Sequence, residues 1–197
     1  MLFRSEAMAL ALGVDPEGVV FTASGSEANA LALRGFPDRR LITSAIEHDS
    51  VLANAPDAVI VPVEKSGVIS FAALAEALQS SPDGATLVSV MAANNETGVI
   101  QPIAEIARLA RAAGALFHCD AAQVFGRIPF NMTALGVDLA TVSAHKSGGP
   151  MGAAALVARP GLDPRPLIRG GGQERNRRAG TENVPALAGW GAALVEG

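Results

Sequence analysis

Lys146 stands in the stretch Ser143-Ala144-His145-Lys146-Ser147-Gly148-Gly149-Pro150, a polar turn that directly follows the apolar run Leu139–Val142. An ammonium lifted out of water gives up its proton more readily, and the free amine condenses with an aldehyde. Most lysines are solvated surface charges, and placement at the end of a buried run is what sets this one apart. Asp120 closes a second apolar run, Leu116–His118, where an unpaired carboxylate costs several kcal/mol and calls for a cation. A protonated pyridine nitrogen would serve, with Gln123 three residues on to hydrogen-bond a ring substituent; a helix-capping Asp beside a surface Gln is the plainer alternative.

Other rim candidates follow the same placement. His48, after Ala45-Ile46-Glu47, could stack on an aromatic ring or shuttle a proton, although a lone histidine is more often structural. Asn94 and Asn95 could cap a turn or address a phenolic oxygen, and Gly98 could simply form a tight turn. Ala23-Ser24-Gly25-Ser26 separates an apolar run from a helical pattern over Glu27–Leu33. Its N–H groups and hydroxyls would there face an anion such as a phosphate, or Ser24 and Glu27 would only cap the helix. The stretch fits neither a P-loop nor a Gly-x-Gly-x-x-Gly fingerprint.

The elements that must position these residues are legible from periodicity. Apolar runs at Val19–Thr22, Leu41–Thr43, Val59–Val61, Leu87–Val90, Leu116–His118, Leu139–Val142 and Ala153–Val157 alternate with amphipathic segments such as Phe71–Gln79 and Ile103–Ala112. This βα series predicts an α/β fold with a largely parallel sheet and helices on both faces, in which ligand-binding residues gather at the carboxyl ends of strands. Pro160–Gly172, rich in Pro and Gly, reads as an exposed connection.

Composition narrows the classes. The 197 residues, 49% hydrophobic and 17% charged, suffice for one core, and a net charge of -4 argues against a nucleic-acid surface. A single cysteine, Cys119, forms no internal disulfide, and no Cys/His spacing suggests a metal site. With no signal-like start and no window of membrane-spanning length, a cytoplasmic protein is expected.

Six motifs then occur in the order found in cysteine desulfurases. They are Phe21–Asn29, Glu47–Val51, Asn94–Ile103, His118–Gln123, Ser143–Lys146, and Gly170–Glu174 with Arg178–Asn183. The chain resembles that family, within the class V aminotransferase superfamily, over nearly its whole length. The resemblance implies the large domain of a fold type I pyridoxal-phosphate enzyme, with Lys146 holding the cofactor as a Schiff base. Asp120 would pair with the pyridine nitrogen, and His48 would stack over the ring and assist proton transfer. Asn95 and Gln123 would address the ring oxygen. Gly25, Ser26, Ser143 and His145 would hold the phosphate, with Thr181 lent to the phosphate site of the other subunit of a homodimer. Ser24-Gly25-Ser26 departs from the family's usual Gly-Ala-Thr order but keeps a hydroxyl at Ser26.

The family reaction turns L-cysteine into alanine and passes its sulfur to a cysteine, with a sulfur-acceptor protein and iron-sulfur cluster assembly downstream. Relative to the family, residues 1–197 read as a single large-domain core, without the N-terminal arm or the small domain that carries the persulfide cysteine and the carboxylate-gripping arginine. Cys119 is expected to be a core residue, because neighbouring strand residues point to opposite faces and Asp120 is the one aimed at the cofactor. Alternatives are another class V enzyme, a selenocysteine lyase or aminotransferase-like protein, or a cofactor-binding fragment without turnover.

Overall fold

The computed structural model describes residues 2–81 and 85–196. Strands β1 (Val19–Thr22), β2 (Arg40–Ser44), β3 (Val59–Val61), β4 (Thr86–Ser89), β5 (Leu116–Asp120), β6 (Leu139–Ser143) and β7 (Ala154–Ala158) form one sheet in the order β1-β7-β6-β5-β4-β2-β3. β2 through β6 pair in parallel, and β7 runs antiparallel to both β6 and β1. The strands lie within a residue or two of the apolar runs in the sequence. β1, β4, β5, β6 and β7 are buried along their whole length, which is why they read as continuous apolar or small-residue stretches.

Alternation along each strand divides the core in two. Val19, Phe21, Val88, Phe117, Cys119, Ala140, Val142 and Val157 face helices α1 (Leu2–Leu12), α4 (Phe71–Gln79), α5 (Ile103–Ala112), α6 (Met132–Leu135) and α7 (Val184–Glu196). Val20, Leu87, Leu116, Leu139 and Leu156 face α2 (Gly25–Arg34) and α3 (Asp49–Leu52). Helices thus cover both faces, as the βα series implies. The amphipathic stripe of α5 inserts Ile103, Ile106, Ala107 and Ala110. Truncating a fully buried residue such as Ile106 to Ala costs about 2–5 kcal/mol.

Helices α1 and α7 lie outside the elements expected from the sequence. Their Ala- and Gly-rich sequences lack a clean polar stripe, so periodicity alone does not reveal them. They pack on each other, and Trp190 of α7 is buried edge-on to Phe21 and Phe125, its Nε1 donating to Ser147 Oγ at 2.9 Å. Pro160–Gly172 carries no regular element and is mostly exposed. Among the described residues no helix is long and apolar enough to cross a membrane, and no cluster of three His, Cys, Asp or Glu side chains could hold a metal.

On the face covered by α2 the sheet changes character towards the carboxyl ends of its strands. A row of leucines gives way to Thr43, Ser89, His118 and Thr141, and then to Asp120 and Ser143. His118 is fully buried, with Nδ1 2.8 Å from Ser89 Oγ and Nε2 3.0 Å from Thr141 Oγ1. Burial pushes its imidazole down to about 4 against the opposing pull of the Asp120 charge, so it serves as a neutral cross-strand tie.

Candidate functional site

The loop between β1 and α2 is held from several sides. Ser24 caps α2 by accepting the Glu27 N–H at 3.2 Å, and the Glu27 carboxylate accepts the Ala23 N–H at 2.9 Å. Arg178 grips that carboxylate with two hydrogen bonds, at 2.7 and 3.2 Å. Nearby, Glu174 accepts the Phe21 N–H at 2.9 Å across the open edge of β1, from a run in which Glu174, Arg175 and Asn176 all take left-handed backbone angles (φ 47°, 56° and 65°). Such strain costs about 1 kcal/mol or more per residue and persists where the surroundings enforce it. The Gly170–Asn183 motifs therefore brace the loop that opens α2.

Bracing leaves the first N–H groups of α2, at Gly25 and Ser26, without partners inside the helix. They open toward the end of β6. A Cβ placed on Gly25 would lie 3.6 Å from the Ser143 Cβ, and Ser143 Oγ sits 3.0 Å from His145 Nδ1. Here a helix N-terminus, two hydroxyls and an imidazole meet, an arrangement suited to an anion.

From this corner a cavity of about 240 Å³ runs along the rim of the sheet. Gly25, Ser26, His48, Asn95, Asp120, Gln123, Ser143, His145 and Lys146 all line it, so the structure brings together every residue that the family resemblance assigns to the cofactor except one. Thr181 is the exception. It is exposed and lines a neighbouring cavity with Phe21, Thr22, Ala23 and Arg178.

Asp120 is 7% exposed, and its oxygens accept only neutral donors, Asn29 Nδ2 at 2.7 Å and the Ala122 N–H at 3.0 Å. Among the described residues no Lys, Arg or His pairs with it. A buried carboxylate that lines a cavity and has only neutral partners there is suited to receive a cationic group. Lys146, half-buried in the turn after β6, lines the same cavity and forms no ion pair with a described residue; its carbonyl accepts from Arg127 Nε at 3.1 Å.

Several of these residues take the plainer structural roles that the sequence also allowed. His48 caps α3 as well as lining the cavity, its Nδ1 accepting the Ser50 N–H at 3.1 Å. Asn94 is structural: its Oδ1 accepts the Glu96 and Thr97 N–H groups, while Asn95 faces the cavity. Gly98, at φ 74°, forms the tight turn between them and Val99. Cys119 is fully buried on the opposite face of β5 from Asp120, and burial, then the Asp120 charge, push its thiol up, away from the reactive thiolate.

Asn29, Ser50 and Met91 also line the cavity and are not among the candidates from sequence. Asn29 follows Gly25 by four residues, a spacing that sets both on one helix face and could have flagged it. Beneath His48, Glu47 is buried, and its Oε1 accepts from the Ser44 hydroxyl and from the Met91 N–H, the latter at 2.9 Å. Burial pushes the Glu47 carboxyl up to about 8, with those hydrogen bonds opposing the rise.

The chain and its fold have known relatives. The family model Aminotransferase class-V matches residues 4–195. A cysteine desulfurase IscS of Dictyoglomus turgidum is 40% identical over 96% of this chain and 50% of its own length. One from Methanosarcina thermophila is 41% identical over 93% of this chain and 48% of its own. Among solved structures, a NifS-like protein from Rickettsia africae superposes with a TM-score of 0.95 at 42% identity, covering 98% of this chain and 56% of that one. SspA, solved in complex with cysteine, superposes at 0.89 with 33% identity, over 98% and 59%. The chain spans about half the length of the curated relatives it matches. With a βα sheet whose strand ends converge on one polar cavity and a family match over nearly all its residues, the chain belongs to the aminotransferase class-V family.

Proposed function

We propose that this chain is the pyridoxal-phosphate-binding large domain of a cysteine desulfurase. The observation that carries the reading is Asp120, a buried carboxylate held only by neutral donors on the wall of the cavity that Lys146 and the N-terminus of α2 share. The donor set fits the cofactor at three separate points. Asp120 offers charge to a pyridinium nitrogen, Lys146 offers an amine to an aldehyde, and the first turn of α2 with Ser26, Ser143 and His145 offers donors to a phosphate. Bound there, pyridoxal phosphate would supply an electron-withdrawing ring that stabilises negative charge on the α-carbon of an amino acid.

The residues have separable tasks. Asp120 keeps a proton on the ring nitrogen. Lys146 Nζ anchors the cofactor and is placed to move a proton at the substrate α-carbon. Ser50 N–H occupies Nδ1 of His48, so Nε2 is the nitrogen that exchanges a proton or rests against the ring. Asn95 and Gln123 donate to the ring oxygen. Thr181, exposed and away from this cavity, would serve the phosphate site of a second copy in a homodimer.

L-Cysteine or a related amino acid is the substrate this reading implies, in keeping with the names of the relatives, and the sulfur would pass to a thiol other than Cys119. The test is uptake of pyridoxal phosphate followed by borohydride reduction and peptide mapping. Label on Lys146 supports the reading; label on Lys65, the other lysine, with none on Lys146 rejects it.

A further inference from the structure

Asn29 is 2% exposed, lies one turn after Gly25 in α2, and spends both hydrogens of its amide on the site. One goes to Asp120 Oδ2 at 2.7 Å and the other to Ser50 Oγ at 2.9 Å. Ser50 Oγ in turn lies 2.8 Å from His48 Nδ1, the nitrogen that also receives the Ser50 N–H. A backbone N–H can only donate, so Nδ1 is an acceptor, and the Ser50 hydroxyl hydrogen must point to it. The lone pairs of Ser50 are thereby left for Asn29. The donors run in one direction, from Asn29 to Ser50 to His48, with the second amide hydrogen on Asp120.

That directionality fixes the amide. Turned over, Asn29 would set Oδ1 against the Asp120 carboxylate, acceptor against acceptor. In the observed orientation Oδ1 is buried and has no hydrogen-bond partner. An orphaned buried acceptor is a penalty, and the fold carries it while satisfying the two donors. The neutrality of the amide matters as well. A Lys or Arg in its place would cancel the Asp120 charge, whereas an amide fixes the direction of the carboxylate and leaves the charge for a cation in the cavity.

We propose that Asn29, together with Ser50, is a positioning residue that joins Asp120 and His48 into one hydrogen-bonded unit across α2, α3 and β5. The proposal rests on the cavity being a pyridoxal-phosphate site. It predicts that the cofactor's ring nitrogen and the imidazole are set relative to each other by α2, the same helix whose first turn faces the phosphate.

A double-mutant cycle tests it. Dissociation constants for pyridoxal phosphate are measured for the parent chain, Asn29→Leu, Asp120→Ala and the double variant, and urea unfolding of the same four unloaded chains gives the coupling without cofactor. Asn29→Leu should weaken binding about ten- to a hundredfold where Asp120 is present, as expected for a lost hydrogen bond to a charged group, and should add nothing once Asp120 is Ala. Ser50→Ala, at a half-buried position that should tolerate it, should weaken binding a few-fold, with Ser50→Thr restoring it. Additive losses, with Asn29→Leu equally harmful in both backgrounds of a chain that does bind the cofactor, would reduce Asn29 to a space-filling residue and overturn the proposal alone. Failure of the parent chain to take up pyridoxal phosphate would overturn the cofactor reading and the proposal with it.

Discussion

Replacing Glu47 with Gln should change how stability depends on pH, in a window set by two buried groups of opposite sign. The Glu47 carboxyl rises from 4.5 to about 8 on folding because it is buried, so the native chain holds a proton that the unfolded chain has already released. Its contribution is complete below pH 4.5 and is lost as pH climbs through about 8, at about 1.4 kcal/mol per pH unit. His118 works the other way. It falls from 6.5 to about 4, so its contribution is present above 6.5 and is lost as pH drops toward 4. Between pH 4.5 and 6.5 the two slopes oppose each other. From 6.5 to about 8 only that of Glu47 remains, a loss of about 2 kcal/mol.

Glu174 also rises through burial, and it is present in both chains, so the difference between parent and Glu47→Gln isolates Glu47. Gln retains an acceptor for Ser44 and Met91 and does not titrate. Urea unfolding followed by the fluorescence of Trp190, the single tryptophan, supplies the free energies. The gap between the two chains should shift by about 2 kcal/mol in favour of Glu47→Gln from pH 6.5 to 8. Parallel stability curves across that range would show that Glu47 is ionised in the fold and would refute the reasoning.

Asp120→Ala should weaken pyridoxal phosphate retention at least tenfold, the order expected for losing a charge-assisted contact, while Asp49→Ala, exposed in the first turn of α3, should change it less than twofold; equal retention by both variants in equilibrium dialysis would refute the placement of Asp120. Cys119 should resist iodoacetamide in the native chain and react only on unfolding, and it should carry no persulfide after incubation with L-cysteine and cofactor, by mass spectrometry. Rapid native alkylation would contradict its burial.

Much of the fold was legible because the central strands are buried on both faces and so appear as uninterrupted apolar runs, and because α4 and α5 carry clear stripes. The rim residues were legible for a related reason. A charged or polar residue that directly ends such a run, as Asp120 does, has little reason to be there except a ligand or a cap. What stayed hidden depends on register between distant elements. Glu47 reads as a surface charge before His48, and its burial follows from β2 pairing beside β4, where Thr43 lies opposite Ser89 and Met91 follows two residues later. Asn29 reads as an indifferent mid-helix residue until Asp120 and Ser50 are placed beside it. The order of motifs named Thr181 but gave no location, and the single chain sets it on a different cavity. Likewise the Gly170–Asn183 motifs announce nothing local about Glu174 or Arg178, whose partners Phe21 and Glu27 lie some 150 residues earlier.

The central claim, that Lys146 holds pyridoxal phosphate beside Asp120, is tested most directly by borohydride trapping. The purified chain is incubated with pyridoxal phosphate, reduced, digested and mapped by mass spectrometry, with Lys65 as the internal control. The account predicts one phosphopyridoxyl group, on Lys146, and its loss in Lys146→Ala. Labelling of Lys65 at equal or greater yield, or trapping that survives Lys146→Ala unchanged, would contradict it.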